Sequence, residues 1–459
     1  MYARKLADLA SRYLVRLNRM PSAACSTFKT FLKERRRSHV WVFVKHSHRL
    51  VCVLLPVVAT AMMVFRIMPG SPRTSGAMTN EAYVWQRSSS AAVSDAIVSA
   101  REKVGGLAPL GAEIVWRDAT ADVAWPELDF AALRRAGRTV SAVLRVGPRT
   151  PAPAAGETVC AIAREMLARF RAGGVEPCEI QVDFDCAESQ LDGYRVWLAS
   201  LRAVAAPLPV RPTVLPSWLD RAAFAALARE CGGYILQVHA TERPRIDAPE
   251  TALCEASRAR AWVERAGRIG VPFRVALPTY TYLVAFAPDG KLLDIMAEGK
   301  ARAWPAGTVM RAFRPDAAQL ATVVADWMKD RPACLTGLLW YRLPVATDEL
   351  NWRWPTLDAV MAGRSPRRGL RVEKSGTSPV DMALVNAGEA EEPFPAEIIV
   401  TAAGAGADAD GIGGYRAELR GADVVFQRAP ELAAARLAPG ARHSLGWVRT
   451  ESEIQIHVR

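Results

Sequence analysis

The chain has 459 residues, half of them hydrophobic, which permits a large buried core and argues against a globally disordered protein. A formal net charge of +12 would ordinarily suggest a nucleic-acid partner. However, residues 1–50 hold twelve Lys or Arg and two acidic residues, a net charge of +10, so the other 409 residues carry about +2. The basicity belongs to one terminal segment, and we expect no nucleic-acid binding.

The basic segment is followed by an apolar run, residues 50–65, which contains sixteen uncharged residues. The run is short for a membrane-spanning helix of about 20 residues and long for a signal-peptide core of about 7–15. Positive charge before it places the N-terminus inside and the bulk of the chain outside the inner membrane. We predict a cytoplasmic tail over 1–49 and a signal anchor over 50–68, with a cleaved signal or a buried helix as alternatives.

Export would permit disulfide bonds, and six of the eight cysteines follow the apolar run. Cys178 and Cys186 flank one predicted strand of about 26 Å, which is too long for them to pair with each other. The absence of a C-x-x-C motif disfavours a zinc or thioredoxin site, and buried free thiols are the expected state.

The region after a Pro/Gly/Ser-rich linker at 69–80 alternates between strand-like and helix-like segments. Helical stripes such as that of 157–174 have apolar residues three and four apart. Such an alternation, repeated eight times over about 280 residues, predicts an α/β fold, a closed TIM-like (β/α)₈ barrel over 81–365. The predicted strands are 82–87, 112–118, 140–147, 179–186, 210–217, 233–240, 273–280 and 336–343.

Beyond the barrel the helical pattern ends at 363–369. Four strand-like runs follow, and together they predict a C-terminal β-sandwich domain over 366–459. The connection between the seventh and eighth strands, 281–335, is long enough to carry an insertion. The Gly-rich tract at 402–414 has no strand–loop–helix context, so it is expected to be a loop and not a phosphate site.

The fourth predicted strand, "EIQVDFDC", carries the strongest chemical signal. Alternation directs Gln181, Asp183 and Asp185 into the barrel and Val182 and Phe184 toward the helices. Two neighbouring carboxylates that are partly desolvated push one pKa upward, so that one acid can be protonated while the other is ionised. Glycoside hydrolysis uses that division of labour, whereas a capping or arginine-pairing role is the structural alternative.

Other strand ends are also polar or aromatic, as expected of a carbohydrate-binding mouth. The candidate substrate-binding residues, besides Gln181, are Gln237, His239, Arg145, Arg342, Trp85, Trp116, Trp218, Tyr280 and Trp340. His239 could orient a carboxylate, accept a proton or join the two aspartates on a metal, but this set is thin for zinc. No nucleophile elbow, Walker motif or dinucleotide fingerprint is present, and no cofactor is implied.

The motifs "EAYVWQR", "QVDFDC", "LPSWL", "YILQVHA" and "VALPTY" resemble a bacterial family known as domain of unknown function 3142, over roughly residues 80–390. The fourth-strand motif is also similar to the D-x-x-D-x-D-x-E signature of family-18 chitinases and related endoglycosidases. Asp183 and Asp185 match its second and third acids. Ile180 stands at the first acid and Ala187 at the catalytic glutamate, and Glu188 comes one residue late.

These observations predict an exported, membrane-anchored barrel on the extracytoplasmic side. Its expected activity is glycoside-hydrolase-like, on an envelope or extracellular polysaccharide or its oligosaccharides, with Asp183 and Asp185 as the catalytic pair. The alternative is a non-catalytic polysaccharide-binding or scaffold protein, which the missing glutamate favours.

Overall fold

A computed structural model of the chain describes residues 71–117, 120–148, 155–297, 304–402, 407–451 and 453–459. The predicted cytoplasmic tail and signal anchor lie outside these ranges. Among the described residues, none of the helices combines the length and the apolar character needed to span a bilayer.

Eight parallel strands close into a barrel, with the eighth paired to the first through Gly337 opposite Thr79 and Trp340 opposite Ala82. Their neighbours in space are also their neighbours in sequence, as expected when each strand is followed by a right-handed helical crossover. The strands are β1 (Thr79–Val84), β2 (Gly106–Arg117), β3 (Thr139–Val146), β4 (Glu179–Phe184), β5 (Val210–Val214), β6 (Tyr234–Gln237), β7 (Phe273–Pro278) and β8 (Leu335–Tyr341). Each predicted barrel strand is therefore confirmed, with shifted ends.

One α-helix follows each strand and packs an apolar stripe on the outside of the barrel. Local sequence fixes several ends: Ser90, Asp129 and Asp316 accept backbone N–H groups at helix starts, and Gly137 and Gly232 take positive φ at helix ends. The helices are α1 (Ala91–Ser99), α2 (Phe130–Ala136), α3 (Gly156–Ala172), α4 (Leu191–Ala205), α5 (Ala222–Cys231), α6 (Ala256–Gly267), α7 (Ala317–Lys329) and α8 (Trp354–Met361).

Two additions extend the barrel sheet. A strand at Thr120–Ala124 pairs antiparallel with the long end of β2. The predicted insertion after β7 is a three-stranded antiparallel sheet, in which Tyr282–Phe286 lies between Leu292–Met296 and Val309–Phe313.

The predicted linker needs a correction at its end. Thr79 and Asn80 belong to β1, and Arg73–Thr74 pairs with Arg331–Pro332. Arg73 is held there because its guanidinium forms ion pairs with Glu264 and Asp330, at 2.7 and 2.8 Å.

The C-terminal region contains two four-stranded antiparallel sheets that share one apolar core. Met382, Leu384 and Leu445 come from one sheet, and Ile398 and Phe426 come from the other. The first sheet consists of Leu370–Ser375, Val380–Asn386, Arg442–Arg449 and Asp408–Gly411 in spatial order. The second consists of Tyr415–Arg420, Asp423–Arg428, Glu397–Ala402 and Ile454–Val458. This arrangement is the predicted sandwich.

The six cysteines of the described ranges are all free thiols. Cys160, Cys186, Cys231 and Cys254 are buried in the barrel layers, where their side chains act as small apolar groups.

Candidate active site at the carboxyl ends of the barrel strands

The alternation predicted for β4 is observed. Val182 and Phe184 face outward, and the Phe184 ring lies 5.1 Å from Tyr194 and 5.7 Å from Trp197 of α4. Gln181 and Asp183 are buried on the inward side. Asp185 follows the strand and lies at the rim, exposed to solvent. One strand therefore carries two carboxyls from the barrel interior to its mouth.

Both carboxyls open into a cavity of about 140 Å³, which we call the mouth pocket. Seven of the residues predicted from the sequence meet there. The pocket is lined by Tyr83, Trp85, Arg145, Asp183, Asp185, Thr213, Gln237, His239, Ala240, Ala276, Tyr280, Tyr282 and Tyr341. In a barrel of this kind, strand carboxyl ends are where ligands bind.

Asp183 is held by a cation. Arg145 Nη1 donates to Asp183 Oδ2 at 3.1 Å, and Arg145 Nε lies 3.2 Å from Glu113 Oε1. Burial, together with the charge of Glu113, raises the pKa of Asp183 above its ordinary value, although Arg145 opposes the rise. Arg145 also lies over the Trp85 ring, 5.7 Å from its centroid. The guanidinium is therefore fixed by contacts on three sides, and it favours the ionised form of Asp183.

Asp185 is in a different electrostatic position. Partial loss of hydration at the crowded rim, together with the charge of Asp183, raises the pKa of Asp185 to about 6, although Arg145 opposes the rise. The pKa values of both acids are thus raised, and the ion pair with Arg145 favours the charged form of Asp183. The predicted division of roles between the two acids stays a prediction.

A neutral imidazole lines the same pocket as the two acids. Burial lowers the pKa of His239 to about 3, so the ring carries no charge at physiological pH. Its Nδ1 is 3.2 Å from the Tyr280 hydroxyl, and its ring stacks on Tyr341. Gln237 Nε2 donates to the His239 carbonyl at 3.1 Å. These contacts fix the imidazole as a hydrogen-bonding group, and they disfavour a role as a cationic acid.

Three aromatic side chains form a continuous wall. The Trp85 ring lies 5.5 Å from Tyr83 and 5.0 Å from Tyr341, in edge-on contacts. Such rings offer apolar faces for sugar C–H groups, next to polar atoms that can take the hydroxyls.

Five sequence-predicted residues lie elsewhere. Trp218 and Trp340 face outward into the helix layer. Trp218 packs near Tyr194 and Phe224. The indole Nε1 of Trp340 donates a hydrogen bond to Asn80. Trp116 packs against the outer core from the end of β2, where that strand has left the barrel for its hairpin.

Arg342 does not line the mouth pocket either. It is buried beyond β8, and its guanidinium pairs with Asp348. Gln181 lies below the pocket floor, where its Nε2 donates to Glu179 at 2.9 Å. It supports the strand and does not reach a ligand in the pocket.

Several lining residues escaped prediction. Tyr341, and not its neighbours Trp340 and Arg342, is the inward residue at the end of β8. Tyr83 could have been found from its position two residues before Trp85. Thr213 and Tyr282 give no distinctive sequence signal, and neither does Glu113, which lies outside the lining and contacts Arg145.

The position of the missing glutamate is open to solvent. Ala187 is exposed in the turn after β4, and the Glu188 carboxylate forms an ion pair with Arg221 outside the pocket. Within the ranges that the structure covers, no group of three or more His, Cys, Asp or Glu is arranged to hold a metal ion.

Residues 136–346 match the model of a family described as a domain of unknown function, DUF3142. The part of the barrel from β3 to β8 is thus similar to the DUF3142 domains. The resemblance predicted from the strand motifs is confirmed over that range. Residues 371–451 match a second family, also described as a domain of unknown function, DUF8456. No curated protein matches the chain in sequence.

Among solved structures, the spore cortex-lytic enzyme SleL of Bacillus megaterium QM B1551 is 12% identical, with 64% of this chain and 75% of that chain covered and a TM-score of 0.46. A chitinase from Chromobacterium violaceum is 13% identical, with coverages of 62% and 99% and a TM-score of 0.44. The xylanase and α-amylase inhibitor XAIP-I, in complex with trehalose, is 8% identical, with coverages of 63% and 99% and a TM-score of 0.37. At these scores the likeness is loose, and the pocket has to be understood from its own side chains.

Proposed function

We propose that the mouth pocket binds a sugar unit and that the chain hydrolyses a glycosidic bond of an envelope or extracellular polysaccharide. The observation that carries the proposal is the pair Asp183 and Asp185, which open together into one aromatic-lined pocket. Glycosidases need two carboxyl groups that flank the scissile bond, one protonated and one ionised.

In this mechanism Asp185 is the general acid. Its proton passes to the glycosidic oxygen as the bond between that oxygen and the anomeric carbon breaks, and the leaving sugar departs as an alcohol. The ionised Asp183 stabilises the positive charge that develops at the anomeric carbon, or attacks that carbon. Water supplies the hydroxyl group of the product, and its second proton restores Asp185.

The surrounding polar groups would position the sugar. The ion pair with Arg145 favours the ionised form of Asp183, and the neutral His239 and the Tyr280 hydroxyl can exchange hydrogen bonds with sugar hydroxyls. Trp85 and Tyr341 would support the apolar face of the ring.

A second candidate, polysaccharide binding without cleavage, is favoured by the turn after β4. The family-18 catalytic glutamate is replaced by Ala187, and Glu188 is engaged with Arg221. If neither aspartate transfers a proton to a bound substrate, the same pocket still offers aromatic rings and hydrogen-bonding groups to a sugar.

The proposed setting is the extracytoplasmic side of the inner membrane. The basic residues of 1–49 and the apolar run that follows are its sequence basis. The membrane partner and the cellular location follow from that prediction alone.

The test uses the purified full-length chain with a panel of bacterial envelope polysaccharides and their oligosaccharides. Reducing-end release and binding are measured together for the parent and the Asp183→Asn/Asp185→Asn variant. Asp192→Asn, an exposed acid on α4 with its side chain 81% accessible, is the matched control.

Release by the parent and by the Asp192→Asn control, but not by the double variant, is the expected result. Release that persists in the double variant would remove the two aspartates from the chemistry. Binding without release in all three proteins would establish the second candidate.

A further inference from the structure

A second cavity lies beside the mouth pocket at the same end of the barrel. It has a volume of about 330 Å³ and is formed by the segments that follow β1 and β8. We call it the Gln86 pocket. Its polar lining includes Gln86, Ser88, Arg342, Thr347, Asp348 and Glu349.

The two pockets share a wall. Trp85 and Tyr341, whose rings are 5.0 Å apart, line the mouth pocket, and the next residues along each strand, Gln86 and Arg342, line the Gln86 pocket. A chain of ion pairs also connects them. Arg87 lies 3.0 Å from Glu113, which contacts Arg145 at 3.2 Å. A molecule longer than one sugar unit can therefore extend from one pocket toward the other.

Most of the charges around the Gln86 pocket are already paired within the protein. Arg342 Nε donates to Asp348 Oδ2 at 3.0 Å, and Arg342 Nη2 donates to the Ala297 carbonyl at 2.9 Å. Glu349 lies at the exposed rim. We therefore expect the inner part of the pocket to bind uncharged ligands through hydrogen bonds, since its charged side chains are already neutralised by partners in the protein.

Gln86 supplies the unused hydrogen-bonding capacity. Both its Oε1 and its Nε2 are shielded from solvent, and neither has a partner among the described residues. A buried amide in that state is destabilising, because it has lost its hydrogen bonds to water without replacement. Because water does not reach either atom in this side-chain conformation, a ligand would bind the amide only after the side chain turns toward the cavity that it lines. A ligand that offers one donor and one acceptor side by side would then satisfy both atoms.

We propose that the Gln86 pocket binds the sugar unit adjacent to the one held in the mouth pocket. That unit is uncharged and presents a neighbouring donor and acceptor to the Gln86 amide, as vicinal hydroxyls or an acetamido group do. The inference rests on the proposed function and adds to it where the neighbouring sugar unit binds and that recognition extends over at least two units.

The test compares the Asp183→Asn/Asp185→Asn chain, which is the parent in this experiment, with the same chain carrying Gln86→Met. This substitution keeps the length of the side chain and removes the amide. Gln455→Met, at an exposed position of the sandwich, is the matched control. Each change is made in the full chain with Asp183→Asn/Asp185→Asn, so that ligands are not consumed. Calorimetry measures the affinity for a length series, from monosaccharide to hexasaccharide, of the saccharide bound in the panel. An N-acetylated and a non-acetylated series distinguish the two ligand chemistries. The melting temperature is recorded without ligand.

We expect Gln86→Met to weaken binding of the disaccharide and longer ligands about tenfold, to leave the monosaccharide unchanged, and not to lower the melting temperature. A merely structural glutamine would instead lower the melting temperature. Equal affinities of parent and Gln86→Met at every length would overturn the second pocket while leaving the proposed function intact. If the parent binds none of the saccharides, the proposed function fails and this inference fails with it.

Discussion

The two ends of the barrel interior both contain buried carboxylates, but they use them differently. At the amino-terminal end, Arg274 pairs with Glu81 at 2.6 Å and also with Glu179. Glu179 accepts further hydrogen bonds from Ser141 at 3.0 Å and from Gln181 at 2.9 Å. At the mouth, Asp183 pairs with Arg145 at 3.1 Å, and Asp185 lies at the open rim.

The same strand, β4, supplies acids to both clusters, so the strand itself does not determine the role. What differs is how many carboxylate oxygens are satisfied by the protein. The carboxylate of Glu179 is hydrogen-bonded and ion-paired within the protein at the base of the barrel. Asp183 and Asp185 line a pocket that a ligand can enter, which supports the proposal that the mouth is the reactive end.

The largest expected effect separates the two mouth acids from each other. Asp185→Asn should lower hydrolysis of an unactivated glycoside by about 100- to 10,000-fold, because the proton donor is lost. An aryl glycoside with a good leaving group needs little protonation, so its hydrolysis should fall much less. Asp183→Asn should impair both substrates. Initial rates on the two substrates measure this, and an equal loss for both in Asp185→Asn would contradict its role as the acid.

The second effect lies at the base of the barrel and concerns stability. Arg274→Met leaves Glu81 and Glu179 buried without their cation, which should lower the free energy of unfolding by about 3–5 kcal/mol. Replacing all three with Glu81→Gln/Glu179→Gln/Arg274→Met should recover most of that loss, because no uncompensated charge remains. Urea denaturation gives the free energies, and saccharide binding by the folded Arg274→Met variant should match the parent. If Arg274→Met is as stable as the parent, the ion pairs of Arg274 with Glu81 and Glu179 do not stabilise the fold.

The smallest effect is the pH dependence of stability contributed by Asp185. Its pKa rises from an ordinary value of 3.8 to about 6 in the folded state, so the folded protein binds the proton more tightly than the unfolded chain. This contribution is fully present below about pH 4 and is lost as the pH rises through 6. Asp185→Asn should therefore show a flatter stability profile between pH 4 and 6, and be at least as stable as the parent at pH 7. Denaturation curves at each pH measure this, and identical slopes for the two proteins would exclude the raised pKa.

Much of the architecture could be predicted because each barrel strand is a short apolar run followed by a helical stripe. The inward direction of Asp183 and Gln237 was also predictable, since polar residues at every second position of β4 and β6 mark the side that faces the barrel interior. In β8 the inward-facing positions could not be predicted in this way. Both faces of a parallel barrel strand are buried, so its sequence "TGLLWYRL" lacks an alternating pattern, and Tyr341 rather than Trp340 faces the pocket.

Two other tryptophans were misassigned for local reasons. Trp218 lies in a turn of 3₁₀ helix, Pro216–Trp218, where strand alternation no longer applies. Trp116 lies where β2 continues past the barrel into an antiparallel hairpin. Sequence position near a strand end is thus insufficient to place a side chain in the pocket once the backbone leaves the barrel.

We propose that β4 ends in a carboxyl pair that holds a transferable proton. Carbon-13 NMR titration of aspartate carboxyl groups in the full-length chain, compared with Asp185→Asn, tests this without a substrate. One resonance is expected to titrate near pH 6 in the parent and to be missing from the variant. If every aspartate carboxyl of the parent titrates below about pH 4.5, close to the ordinary aspartate value, the mouth pair holds no such proton and the proposed acid is wrong.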